Sequence, residues 1–267
     1  MIKLLVLILI SLLILIGGER GLITIISLCW NLFILAVSFV LMSWGLNPLL
    51  TTFCSCLLIS NGTIFYQNGK NAKTIASFIS VLIIMLLLFL FIYVAAYHSH
   101  VGGLNELMKN DDMIFCLSTN INVNMGSIGV SMIIIGLMGA IIDTAIAVSS
   151  GVYEVYSNNR HLTKKELIIS GMSIGGDILG TTVNTLYFAY IGESLMLFVL
   201  FKNFHYTISE VINSKAFFQE VICIVFSAIG CVAIIPITAI VVSYLLTNSD
   251  RFKKFLDEDA LFAEKKS

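Results

Sequence analysis

Seven mostly apolar stretches follow one another along the chain. A transmembrane helix needs about 20 apolar residues, because a helix rises about 1.5 Å per residue and the hydrocarbon core of a bilayer is about 30 Å thick. Of the 267 residues, 58% are hydrophobic and only 12% are charged, and no soluble domain could hide that much apolar surface. The predicted spans are approximately residues 1–16, 22–42, 48–66, 73–97, 126–148, 178–201 and 217–246.

These stretches predict an all-α fold, a polytopic transmembrane helix bundle with about seven spans. We expect residues 1–248 to form a single transmembrane domain and residues 249–267 to form a charged cytoplasmic tail. The first stretch is short and follows Lys3, as in a signal peptide, but no small-residue cleavage site follows its apolar run. We therefore expect an uncleaved first span.

The distribution of lysine and arginine predicts the orientation, because loops rich in these residues stay in the cytoplasm. The prediction places the N-terminus outside and the C-terminus inside. The net charge of −1 gives no indication of nucleic-acid binding, so the expected surroundings are a lipid bilayer. The outer side collects Lys3, Lys109, Lys202 and Lys215, and the inner side collects Arg20, Lys70, Lys73, Arg160, Lys164, Lys165, Arg251, Lys253, Lys254, Lys265 and Lys266.

The inner connection at residues 149–177 contains a helix-start pattern. Thr163 and Glu166 have the spacing of a capping box, in which each side chain bonds the backbone of the other residue. We expect one short amphipathic helix on the cytoplasmic membrane surface, either a coupling element or a solvated connector. Its apolar face would consist of Leu167, Ile168, Ile169 and Met172.

The fifth span contains a carboxyl group among apolar residues, at Asp143. An ionised carboxyl in hydrocarbon costs at least about 2.5 kcal/mol, so it must face protein or water. At 100° per residue, Gly136, Gly139, Asp143, Ser150 and Glu154 fall on one stripe if the helix continues inward. The glycines would let a neighbouring helix approach the carboxylate.

A second polar stripe occupies the start of the sixth span. Asp177, Thr181 and Asn184 stand at positions i, i+4 and i+7, so they share one helix face, and Gly176 and Gly180 flank them. Interhelical hydrogen bonds and close glycine packing would explain this pattern, and so would a proton relay or a substrate path.

Under the predicted orientation both stripes lie in the inner half of the bilayer, so we expect Asp143 to approach Asp177, Thr181 or Asn184. The candidate relay or substrate-path residues are therefore Asp143, Asp177, Thr181, Asn184 and Glu154. The glycines expected to pack helices together are Gly136, Gly139, Gly176 and Gly180.

Neither a metal site nor a cofactor site is predicted. Five of the six cysteines lie inside apolar spans, where they act as small hydrophobic residues. His98 and His100 lack the nearby carboxylate or thiol that a metal site requires. No Walker motif is present, so we expect an ion gradient or a separate ATPase to supply any energy.

Several segments are characteristic of one bacterial family. They are residues 139–154, 170–177, 180–181, 184–186 and 189–192, with residues 17–21 after the first span. In these segments the chain closely resembles the YibE/F family of membrane proteins, in particular its short F-type half. The resemblance implies a permease or permease subunit of the bacterial cytoplasmic membrane, of unknown substrate. It also implies an E-type membrane partner, with a homo-oligomer as the alternative.

A weaker resemblance concerns the order of these features. An Asp in a span entering the cytoplasm, a Glu just inside, and an outgoing span with Gly, Asp, Thr and Asn are similar to one half of SecD/SecF and related resistance-nodulation-division permeases. This similarity implies that Asp143 is a proton-relay residue coupled to a partner half.

Two other functions remain open. The chain could be a membrane assembly or scaffold subunit that transports nothing. It could also be an intramembrane aspartyl protease, which needs two acids sharing one proton. Asp143 and Asp177 supply two acids, but Ile174 stands where the Gly-x-Gly-Asp type of protease has glycine. We therefore expect the protein not to be an enzyme.

Overall fold

The computed structural model describes residues 2–99 and 125–248. Within these ranges the chain forms helices and no strands, which confirms the all-α prediction. The predicted tail, residues 249–267, lies outside the described residues, as do Lys109, Cys116 and the side chain of His98. The elements are α1 (Ile2–Ser43), α2 (Pro48–Asn61), a π-helical segment (Gly62–Tyr66), α3 (Ala72–Ser99), α4 (Met125–Asn158), α5 (Lys164–Asn203), α6 (Ile208–Asn213) and α7 (Lys215–Asn248).

Six of the described helices are long and apolar enough to cross a membrane, if the π-helical segment is counted with α2. Helix α1 has 42 residues, so straight it would measure about 63 Å, twice the thickness of a bilayer core. It is not straight. Gly18 has φ 54° and ψ −129°, and a Cβ on Gly21 would overlap the backbone of Leu13. The chain therefore reverses at Gly18, and α1 contains both the first and the second predicted span.

Serine hydroxyls show how neighbouring helices are aligned. Ser149 Oγ of α4 donates to Lys73 O of α3 at 2.7 Å, and Ser77 Oγ of α3 donates to Ala145 O of α4 at 3.3 Å. Since the residue numbers rise in one helix as they fall in the other, α3 and α4 run antiparallel. Without water to bond them, buried hydroxyl groups need such protein partners.

The turn at Gly18, the loop after Tyr66, the loop after Asn158 and the end of α7 all lie at one end of the bundle. The Lys164 ammonium lies 4.4 Å from the centre of the Tyr244 ring, which ties the start of α5 to the end of α7. We call this end the basic end, because its described basic residues are Arg20, Lys70, Lys73, Arg160, Lys164 and Lys165. This clustering agrees with the predicted one-sided distribution of positive charge.

Helices α3, α4 and α7 contribute most of the core. Their facing sides carry large aliphatic residues, which pack by van der Waals contact because lipid gives no hydrophobic drive between helices. Helix α5 lies at the edge of this group and contacts α4 and α7. Core side chains with at most 2% exposure include Ile84, Met85, Ile134, Leu137, Ile141 and Ile234.

The helix start predicted at Thr163 is present, but the prediction of a separate short surface helix is wrong. Thr163 and Glu166 form the capping box. The helix that begins there then runs unbroken for 40 residues to Asn203. Leu167 is fully buried in the core, and Gly171 lets α5 approach Ala239 of α7. These contacts hold the first turns against the bundle, so they are the start of α5 and not a separate element.

Candidate functional site

The predicted stripe on α4 exists, and most of it is exposed. The helix continues inward to Asn158, as the stripe requires. Gly136, Gly139, Asp143 and Glu154 are all exposed, and Ser150 is half-buried. Asp143 lies about 9 Å from the middle of the apolar run 126–148, well inside a bilayer core. The carboxyl group is therefore at membrane depth and on the outer surface of the isolated chain.

The predicted stripe on α5 is exposed as well. Gly176, Asp177, Gly180, Thr181 and Asn184 each face away from the core. Among the described residues, Thr181 Oγ1 donates only to its own helix, at Ile178 O and 2.8 Å. Both stripes thus present polar groups on the surface of a membrane bundle.

Two contacts set the alignment of α4 against α5. A Cβ on Gly136 would lie 2.9 Å from Tyr190 Oη, and a Cβ on Gly151 would lie 3.0 Å from Ile174 Cδ1. The first contact lies towards the end opposite the basic end, and the second lies nearer the basic end. Asp143 falls between them.

Interpolating between these contacts places Asp143 at the level of Thr182. Thr181 and Asn184 then lie within about 3 Å of that level along the helix axis, and Asp177 lies about 8 Å nearer the basic end. In the described chain no hydrogen bond joins Asp143 to any of these residues. The structure therefore places Thr181 and Asn184 near the level of the Asp143 carboxyl group along the helix axis. Asp177 lies farther from that level.

The four glycines predicted to pack helices differ from one another. Gly136 packs, because the Tyr190 hydroxyl occupies the space beside it. A Cβ on any of the other three, Gly139, Gly176 and Gly180, would have no described atom of a neighbouring helix within 4 Å. Their packing role within the chain is therefore not found. The glycines of α5 that do pack against α7 are Gly171 and Gly175.

A polar seam on α7, which the sequence patterns did not predict, runs beside these stripes. Glu220, Cys223, Ser227, Cys231 and Thr238 follow at intervals of three, four, four and seven residues, so they fall within an arc of about 80°. We call these five residues the α7 seam. It extends over most of the membrane-spanning length of α7.

Helix α5 bonds to the seam near the end opposite the basic end. Tyr190 Oη and Ser227 Oγ lie 3.0 Å apart, and Ser194 Oγ donates to Glu220 Oε2 at 3.3 Å. Towards the basic end, the buried Thr238 hydroxyl bonds no other described group. The polar groups of the seam are therefore hydrogen-bonded at the end opposite the basic end, and the Thr238 hydroxyl nearer the basic end has no described hydrogen-bond partner.

The middle of the seam lies beside Asp143. Cys231 contacts Thr144 and is close enough to Asp143 to interact with its charge. The three- and four-residue spacing of polar side chains is a sequence signal for the seam, but cysteines in an apolar span are ordinarily small hydrophobic residues. Among the described residues, no group of three His, Cys, Asp or Glu side chains is placed to hold a metal ion.

A comparison with protein families assigns the chain to a family. The family description "YibE/F-like protein" matches residues 5–248. The chain belongs to the YibE/F-like family. This confirms the family resemblance, and the match includes both stripes and the whole α7 seam. No curated protein and no solved structure shows significant similarity to the chain.

The chemistry open to this YibE/F-like protein at the site is proton binding. A carboxyl group such as Asp143 can take up and release a proton, and hydroxyl groups can pass a proton along hydrogen bonds. The contacts of Tyr190 and Ser194 supply two such bonds. One helical turn, about 6 Å along the axis, separates Ser227 from Cys231, and a bridging water would be needed there.

Proposed function

We propose that this YibE/F-like protein is a permease, or a permease subunit, that couples transport to protons through Asp143. The observation that carries the proposal is the position of that carboxyl group inside an apolar span and beside the α7 seam. Ionisable groups at membrane depth are costly, and they mark ion pathways and proton relays.

The other predicted residues would serve the same path. Thr181 and Asn184 stand at the level of Asp143 and offer hydrogen-bonding groups to a proton carrier or a solute. Asp177 and Glu154 lie nearer the basic end, where they would exchange protons with water. No cofactor is needed for this role.

The proposed location is the bacterial cytoplasmic membrane, with the basic end in the cytoplasm. The described basic residues at that end outnumber those at the other, where Lys3, Lys202 and Lys215 lie. The positive-inside rule then places the N-terminus outside and the C-terminus inside. Asp143 would lie in the cytoplasmic half of the bilayer.

We also propose that another membrane protein covers the two stripes. Asp143, Asp177 and Asn184 are exposed and form no hydrogen bond within the described chain, and contact with lipid alone would be costly. The cover would be an E-type family partner or a second copy of the chain. Native mass spectrometry of the protein purified with its co-expressed neighbours distinguishes the two by mass.

The proposed function is tested by proton flux into liposomes that contain the purified protein with its partner and an internal pH indicator. Asp143→Asn keeps the size and hydrogen-bonding capacity of the side chain but cannot titrate, so we expect flux to fall at least tenfold. Glu210→Gln, which neutralises an exposed acid outside the spans, is the matched control and should carry normal flux. Unchanged flux in Asp143→Asn, with assembly intact, would refute the role of Asp143.

A scaffold subunit is the second candidate, because Gly176 and Gly180 form an exposed small-residue pair with the spacing that brings membrane helices together. A scaffold should tolerate Asp143→Asn in the flux experiment and lose its partner when Gly180 is enlarged.

The offset of about 8 Å between Asp143 and Asp177 along the helix axis argues against an intramembrane aspartyl protease. Two acids that share one proton must be in direct contact.

A further inference from the structure

A groove outside the Asp143 region lies between the second arm of α1 and the end of α2. Its volume is about 470 Å³, which is enough for a large part of a lipid chain and its linkage. The walls are apolar and aromatic, formed by Ile26, Trp30 and Phe65. Tyr66 and Lys70 line the same groove towards the basic end. One side is open to the surroundings of the bundle.

The groove is held open by the π-helical segment. The wider winding of Gly62–Tyr66 interrupts the regular α2 surface, as such segments often do at functional sites. Gly62 lies against the Trp30 ring, where a Cβ would approach Trp30 Cδ1 to 2.9 Å. Asn31 Nδ2 donates to Thr63 Oγ1 at 3.1 Å. These two contacts fix α1 against the segment, so the groove is preformed.

A polar group inside the groove lacks a partner. Ser27 is only 2% exposed, and its hydroxyl forms no hydrogen bond with any described residue. Buried hydroxyl groups are normally bonded, because leaving one unpaired costs about 1–3 kcal/mol. Asn31 Oδ1 is also buried and unpaired within the described chain. The groove therefore offers a hydrogen-bond donor to a ligand.

The charge at the mouth of the groove is positive. Lys70 is exposed in the loop that follows the π-helical segment, and no described carboxylate lies within ion-pair distance of it. The antiparallel pairing of Asn31 with Thr63 places Ser27 near the end of the segment, about one turn deeper in the membrane than Lys70. The groove thus has the Lys70 cation at its mouth, the Ser27 hydroxyl group about one turn deeper, and apolar walls.

We propose that this groove binds one anionic phospholipid from the leaflet at the basic end. The phosphate lies at Lys70 beside Tyr66, the ester oxygen accepts from Ser27, and one acyl chain lies along Ile26, Trp30 and Phe65. A lysine at the membrane surface attracts anionic lipid, and aromatic side chains prefer the headgroup level. The proposal is independent of proton coupling.

The test is lipid binding to the purified full-length protein in detergent, measured by native mass spectrometry with added lipid. Phosphatidylglycerol and phosphatidylcholine with the same acyl chains are the probes. We expect the wild type to prefer phosphatidylglycerol about fivefold or more, which corresponds to about 1 kcal/mol from one lysine. Lys70→Ala should abolish the preference, whereas Lys165→Ala, at the same end but outside the groove, should keep it.

A second variant tests the groove itself. Ile26 is 52% exposed, so Ile26→Trp should fill the groove without disturbing the core, and should reduce binding of both lipids. Thermal melting without added lipid checks that the variant is folded. Any of three results would overturn the proposal. The preference for phosphatidylglycerol survives Lys70→Ala, or the Lys70→Ala and Ile26→Trp variants both bind the two lipids as the wild type does, or glycerol phosphate without acyl chains competes as well as the lipid.

Discussion

The two faces of α5 contain the same kinds of residue and differ in their surroundings. One face carries Gly171 and Gly175, which pack against α7, and Tyr190 and Ser194, whose hydroxyl groups bond to α7. The exposed face carries Gly176, Gly180, Asp177, Thr181 and Asn184. Glycines and polar side chains in a membrane helix therefore do not by themselves indicate function, and what matters is whether the fold already satisfies them.

The largest expected effect comes from enlarging neighbouring glycines on the two faces. A Cβ on Gly175 would overlap Ile235 of α7, so Gly175→Leu should cost about 3 kcal/mol of stability. Gly176→Leu adds the same atoms one residue away, where a Cβ would meet no described atom of a neighbouring helix within 4 Å, and should change stability by less than about 0.5 kcal/mol. Thermal melting of the purified proteins measures both. Equal losses would contradict the assignment of the two faces.

A smaller effect is expected at the hydrogen bonds of the packed face. Tyr190→Phe removes the partner of Ser227 Oγ, a side chain with no exposed surface, and should cost about 1 kcal/mol, as membrane hydrogen bonds do. Tyr187→Phe is the matched control, because Tyr187 is 47% exposed and should tolerate the loss of its hydroxyl. Thermal melting again decides. No difference between the two variants would show that the Tyr190 bond adds no stability.

A substitution on the exposed face of α5 should have an effect only when the protein is assembled with its partner. Asn184→Leu removes an exposed amide that bonds to no other described residue, so the isolated chain should change in stability by less than about 0.5 kcal/mol. In the purified complex the same change should reduce partner retention or flux, if the partner bonds this amide. Comparing melting of the chain with pull-down of the complex measures both effects. A marked loss of stability in the isolated chain would mean that Asn184 is already part of its core.

The smallest expected effect lies outside the membrane, at the capping box of α6. The backbone N–H and the hydroxyl of Thr207 lie 2.7 and 2.8 Å from Glu210 Oε2, and these hydrogen bonds lower the pKa of the Glu210 carboxyl. A carboxyl with a lowered pKa stabilises the fold above its unfolded pKa, and that stabilisation is lost as the pH falls through the folded pKa. Wild type and Glu210→Gln should therefore differ slightly at neutral pH and converge in acid. Melting curves from about pH 7 to about pH 3 measure this, and a difference that grows in acid would contradict it.

Much of the site could be located from sequence, because helical periodicity is a local property. The spacing of Gly136, Asp143 and Glu154 predicts one stripe on α4, and the structure has it. The α7 seam has the same kind of spacing, but the spacing does not show what the seam contacts, because Cys231 and Ser227 have polar neighbours only once α4 and α5 are in place. The contact of Gly175 with Ile235 could not be predicted either, since it joins residues from different spans.

The sequence by itself determined that this is an all-α membrane protein, and it determined the helix start at Thr163 and the one-sided distribution of basic residues. These features follow from the length of apolar runs and from patterns within a few residues, both of which act locally. Only the tertiary structure decided that α5 is one continuous helix, which of its glycines pack, where the α7 seam meets Asp143, and that a groove opens beside the π-helical segment. Those features depend on contacts between distant parts of the chain, and the apolar composition that produces the spans does not specify which helix faces meet.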